Sequence, residues 1–219
     1  MKRLALLGVL AAFALPGAAY ASDFGLDAHV STLGLGAEFN YTINSFFTAR
    51  VDYNGYNYSY TGTKEQVNYN FDLHLKSYGV LVDLHPFAGT FRLTAGYLSN
   101  KNNIDAVATP TGGSYTINGD SYSSSELSSL TGAITFKSSV PYVGLGWSTL
   151  GTTSTGLGFE FDLGALLQGQ PTAKLSATGS VTSNSTFQSD LAAEQGKLQN
   201  DLNSFKAYPV ISLGLAYRF

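Results

Sequence analysis

The chain has 219 residues, a formal net charge of −3, 12% charged residues, 24 glycines, 14 tyrosines, 14 phenylalanines and no cysteine. The acidic balance argues against nucleic acid as a partner, and the absence of cysteine excludes disulfide frameworks, iron–sulfur centres and thiol chemistry. No apolar run beyond residue 21 is long enough for a membrane helix, so a membrane-spanning form of this chain has to be a closed barrel.

The first 21 residues read as a secretory signal peptide. Lys2 and Arg3 precede an apolar run from Leu4 to Leu15, Pro16 and Gly17 break it, and Ala19-Tyr20-Ala21 supplies an A-x-A cleavage site. The expected mature domain is 22–219, the size of one domain. It keeps 15 acidic residues and loses two of the 12 basic ones, for a net charge near −5.

Strands then follow one another by their period-two alternation. Phe24, Leu26, Ala28 and Val30 share one face, opposite Asp27, His29 and Ser31. From Leu33 the parity flips, to Leu33, Leu35, Ala37, Phe39 and Tyr41 opposite Gly34, Gly36, Glu38 and Asn40. A one-residue phase change cannot occur inside one regular strand without turning the apolar set to the wrong side, so a tight turn is placed at 31–34. The alternative, one strand over 24–41, leaves seven strands in all.

After a turn at 42–45, a third strand carries Phe47, Ala49, Val51 and Tyr53 against Thr48, Arg50, Asp52 and Asn54. It runs on into Tyr56, Tyr58 and Tyr60 and a loop at 61–66. The fourth strand ends with Tyr78, Val80, Val82 and Leu84 outward and Gly79, Leu81 and Asp83 inward. Phe71, Leu73 and Leu75 above are out of phase, which predicts a bulge near Lys76. A turn at 86–90 leads to a fifth strand with Arg92, Thr94 and Gly96 inward.

The long polar segment 100–132 contains a hairpin about Asn118-Gly119. A sixth strand ends at 141–147. A connection at 150–155 leads to a seventh, with Gly158, Glu160, Asp162 and Gly164 inward. The segment 169–206 holds a helical stretch at 188–205, where Leu191, Leu198, Leu202 and Phe205 share a face. It reads as an ordered lid on an external loop. The eighth strand, Tyr208 to Phe219, alternates strictly and stops on an aromatic residue.

Short turns (42–45, 86–90, 150–155) alternate with connections of which two are long (100–132, 169–206). The expected fold is therefore all-β: an antiparallel up-and-down transmembrane barrel of eight strands with long external loops, one carrying a short helix. Aromatics fall into two candidate girdles. Trp147, Phe46, Phe47, Phe87, Phe91 and Phe219 lie at the short-turn end, and Tyr53, Tyr56, Tyr58 and Tyr97 at the other.

An eight-stranded barrel is only just wide enough to be filled by side chains. The residues expected to line it are Asp27, His29, Glu38, Arg50, Asp52, Asp83, Arg92, Glu160, Asp162 and Arg218. Two readings stay open: a plug of salt bridges that stiffens the barrel, or a water-filled path preferring cations because acids are in excess. Asp27, His29 and Ser31 alternate on one strand in the order acid, base, hydroxyl. Their backbones are about 7 Å apart, which argues against direct contact and against a hydrolytic site. His74 and His85 lie elsewhere, and no pair has metal-ligand spacing. The Gly-Leu-Gly triplets at 34–36, 144–146 and 156–158 precede no helix and read as positions of barrel curvature. No enzyme activity, cofactor or metal is expected.

The stretches His85-Pro86-Phe87, 115–122, 141–147, 158–179 and 190–219 resemble the small eight-stranded outer-membrane proteins of Gram-negative bacteria, in particular the OmpW-like and CarO-like groups. This resemblance implies a place in the cell outer membrane, contact with its lipid, and a terminal strand read by the barrel-assembly machinery through Tyr217 and Phe219. It implies a porin-like route for small solutes: basic amino acids for CarO-like members, small hydrophobic compounds for OmpW-like ones. The very short first hairpin departs from the OmpW-like lateral gate. The expected function is a narrow channel for small solutes, cations or basic amino acids before anions, in a monomer. The alternative is a non-conducting structural or surface-interaction protein acting through its long external loops.

Overall fold

A computed structural model describes residues 23–64, 66–149 and 155–219. The expected signal peptide, 1–21, and all but Thr155 of the expected connection at 150–155 lie outside the described residues.

Thirteen strands are described, and eight of them close a ring. β1 (Phe24–Ser31), β2 (Gly34–Asn44), β3 (Phe47–Lys64), β4 (Val67–Leu84), β5 (Phe91–Asn100), β10 (Ser139–Ser148), β11 (Gly156–Leu166) and β13 (Tyr208–Arg218) pair antiparallel in that order, and β13 returns to β1. The turn at 31–34 is real: Ser31 pairs with Gly34, and Gly34 takes φ 114°, a backbone conformation open mainly to glycine. Leu33, expected on the outer face, instead turns inward in this turn and is buried.

Polarity is inverted relative to a water-soluble barrel. Val30, Leu35, Val51, Val80, Phe159 and Leu213 are exposed on the outside, while Arg50, Arg92, Asp83 and Glu160 are buried inside. Such a surface is stable only against a medium as apolar as lipid. Among the described residues no helix is long and apolar enough to cross a membrane. At the short-turn end the rings of Phe87, Phe91, Trp147 and Phe161 follow one another at centroid distances of 5.4–6.1 Å, as a girdle requires.

The other end corrects two expectations. β3 and β4 stay in one unbroken register from Phe47–Leu84 to Lys64–Val67, so there is no bulge near Lys76. The phase of Phe71, Leu73 and Leu75 changes because the surroundings change. These residues, with Tyr56, Tyr58 and Tyr60, stand on the face continuous with the lumen, but above the barrel. Tyr56 and Tyr58 are therefore not part of a lipid-facing girdle.

There β4 changes partner. Its lower half pairs with β5 and its upper half with β6 (Asn103–Pro110). β9 (Ser129–Thr135) and β12 (Thr172–Thr178) extend this external sheet in the order β3-β4-β6-β9-β12. β6, β12 and the first part of β9 lie in segments expected to be loops. Each carries only one or two large apolar residues (Ile104; Leu130 and Ile134; Leu175) among Ala, Ser, Thr and Gly, which give little contrast in polarity.

The Asn118-Gly119 hairpin forms as expected, between β7 (Ser114–Ile117) and β8 (Asp120–Ser123), with φ of 53° and 103° at its two turn residues. The helix α1 spans Ser185–Leu202, earlier than 188–205, because Asn184 caps it by accepting from the Thr186 and Phe187 amides. Phe205 lies beyond its end and is exposed. α1 packs along the outer strand β12. Gln195 and Gln199 accept from the Leu175 and Ala173 amides at 2.9 Å each, which covers part of an open sheet edge. Phe187 and Leu191 join Ile117, Tyr122, Leu127 and Val181 in a second small core.

Candidate functional site: a charged lumen

Nine of the ten residues expected to line the lumen meet in one layer across its middle. Arg50 donates through Nη1 to Glu38 at 2.7 Å and through Nη2 to Asp83 at 3.0 Å and Thr94 at 3.2 Å. Arg92 clasps Asp162 with two bonds, 3.2 Å from Nε and 2.7 Å from Nη2, reaches Asp83 at 3.4 Å, and touches Glu160. Asp83 is thus held by both guanidinium groups, and Thr94 donates to it at 2.7 Å. Forked donors against planar carboxylates are the strongest ion pairs available to side chains. The tenth residue, Arg218, sits one inward rung lower, with Nη2 3.9 Å from Asp23.

His29 overturns the expectation that Asp27 is out of reach. Its Nδ1 lies 2.7 Å from Asp27 Oδ1, because both side chains lean over Gly214 on β13, where a Cβ would collide with them. Nε2 lies 2.9 Å from Asn54 Oδ1, and Asn54 itself donates through Nδ2 to Asp52 at 2.6 Å. Both imidazole nitrogens thus face acceptors, the pattern of an imidazolium. Ser31 donates to the same Asn54 oxygen at 3.1 Å, so the hydroxyl is engaged by the amide. His85, near the base, faces Gly89 O at 2.9 Å and Thr48 Oγ1 at 3.3 Å.

Several inward glycines also make room for this layer, a role their reading as curvature positions did not include. A Cβ at Gly36 would strike His29, at Gly146 Asp162, and at Gly144 or Gly164 the Tyr142 hydroxyl. Above the charges lies an apolar layer of which sequence reading placed only Leu81 inward: Leu33, Leu81, Leu98, Val140, Tyr142, Leu166 and Val210 form one buried cluster. Its signal was present for all but Leu33, since each of the others has the parity of an inward position on its strand. Between the two layers remains a cavity of about 30 Å³, lined by Asp27, His29, Glu38, Asp52 and Glu160 among others. A polar space of this size admits water, since about 10–15 Å³ suffices for one molecule.

No family model matches the chain, and no curated protein matches it. Solved structures do. The crystal structure of Acinetobacter baumannii CarO has 22% identity and a TM-score of 0.59, with 89% of this chain and 97% of that one covered. The CarO2 crystal structure from the same organism has 21% identity and a TM-score of 0.59, covering 90% and 99%. This chain has the fold of a small outer-membrane β-barrel. Within that fold, the apolar outer band, the buried charge layer and the external sheet with its helix divide the barrel into three zones of different chemistry.

Proposed function

We propose that this outer-membrane barrel is sealed, and that it works through the sheet and helix it raises above the membrane. The observation that carries this reading is the double closure of the lumen. Arg50 and Arg92 bridge carboxylates from β2, β4 and β11, and seven apolar or aromatic side chains cover them from above. Moving either arginine aside strands buried charges, at a cost of several kcal/mol each. The external sheet, by contrast, presents Tyr56, Tyr58, Tyr60 and Tyr69, all 44–55% exposed, on one side. An aromatic surface of this kind is suited to contact with other molecules. On this reading the protein is a monomer in the cell outer membrane, catalyses no reaction, and uses Tyr217 and Phe219 for assembly.

The test is conductance of purified protein in a planar bilayer. The expected outcome is no unitary current, for the native chain and equally for Asp162→Asn and Glu160→Gln. Steady cation-selective current from the native chain would instead support the narrow channel, the second reading. The acidic excess around the central cavity favours that one.

A further inference from the structure

The register of the first three strands sets three acids side by side. Asp27 stands directly opposite Glu38, and Glu38 directly opposite Asp52. Like charges in directly opposed positions destabilise a sheet. Glu160 joins them from β11 across Gly214, which pairs with Glu160 on one side and His29 on the other and has no side chain to separate them.

The layer holds six carboxylates: Asp27, Glu38, Asp52, Asp83, Glu160 and Asp162. Against them stand two guanidinium groups and the His29 imidazolium. Each acid of the inner group spends one oxygen on a protein partner and keeps the other. Asp27 gives Oδ1 to His29, and Oδ2 has no hydrogen-bond partner. Glu38 gives Oε2 to Arg50 and keeps Oε1, and Glu160 touches Arg92 through Oε1 and keeps Oε2. All three side chains are at least 95% buried, and all line the central cavity. One oxygen from each lies within 4.8 Å of the other two. A calcium ion binds oxygens at about 2.3–2.6 Å, so an ion of that size touches ligands so spaced. Magnesium usually keeps several waters in a near-ideal octahedron, for which a cavity of about 30 Å³ leaves little room.

We infer that the sealed lumen of this barrel holds one hard divalent cation of calcium size, bound by Asp27, Glu38 and Glu160. The ion offsets the acidic excess that the two arginines and His29 leave over, and it ties β1, β2 and β11 together from inside. It enters as the barrel closes, because the apolar layer covers the site afterwards.

The experiment is equilibrium dialysis of the mature chain. The protein is stripped with chelator while unfolded, refolded in detergent with radioactive calcium, and then washed with chelator. About one calcium retained per native chain, and its loss in Glu38→Gln and Glu160→Gln, is the expected result. No stoichiometric retention by the native chain overturns the inference, and means that water and protons fill the site. Retention undiminished in both variants overturns it too, by placing the ion on exposed acids. Terbium luminescence excited through tyrosine covers the case in which the variants do not fold. Tyr142 lines the same cavity, so Tyr142→Phe is expected to lower the emission severalfold, and an unchanged emission counts against the site.

Discussion

At Gly214 the inner surface of β13 carries no side chain, and Asp27 and His29 lean into that gap. Gly214→Ala adds one carbon where the Asp27 carboxylate now sits, so the acid, the imidazole and everything they hold must shift. Overpacking of this kind costs about 1–3 kcal/mol. Urea unfolding of the variant in lipid vesicles is expected to show that loss, whereas Gly196→Ala, on the open side of α1, serves as a control. The residues of the lumen were legible because alternation separates inward from outward positions without any knowledge of partners. Their contacts were not. The turn at 31–34 already implied that Asp27 faces Glu38, but the approach of Glu160 depends on the absence of a side chain on a strand near the other end of the chain.

Among the elements, α1 and the β7–β8 hairpin hold each other through one carboxylate. The Tyr122 hydroxyl donates to Asp190 at 2.5 Å and the Asn118 amide at 3.1 Å, and these bonds keep Asp190 below its ordinary value of about 3.9. A carboxylate depressed in the folded state adds stability above its unfolded pKa and loses it as pH falls through the folded one. Docking of helix and hairpin is therefore complete at neutral pH and loosens only below about pH 4. Hydrogen exchange, corrected for intrinsic rates, is expected to show protection falling for 185–202 and 114–123 at low pH while the barrel amides hold. Asp190→Asn flattens that dependence. The helix was legible through its spaced leucines and the hairpin through Asn118-Gly119. The strands β6, β9 and β12 were not, because Ile104, Leu130, Ile134 and Leu175 are spaced among alanines and a glycine and form one apolar face only once the three strands pair.

For the whole molecule, both excursions from the barrel begin and end at points already bonded to each other. The Asn100 amide donates to Ser138 O at 2.8 Å, and the Gly169 amide to Lys206 O at 2.9 Å. Removing 101–137 and 170–205 and joining the ends with short turns leaves all eight barrel strands and both layers of the lumen intact. The shortened chain, which keeps Tyr217 and Phe219, is expected to reach the outer membrane and resist protease there. Its failure to do so would show that the external sheet is needed to close the barrel. The eight-strand ring was legible as a whole because lipid outside and charge inside impose opposite polarity on every strand.

The shared strand β4 has a mechanical consequence. Because β3 and β4 run from the base of the barrel to the tip of the external sheet in one register, a pull on that tip tensions both strands together and falls as shear on their ladders to β2 and β5. The hydrogen bonds of those ladders then carry the force together, rather than opening one after another as in a peeled hairpin. The external sheet is thus anchored by the barrel wall itself and not by a separate linker.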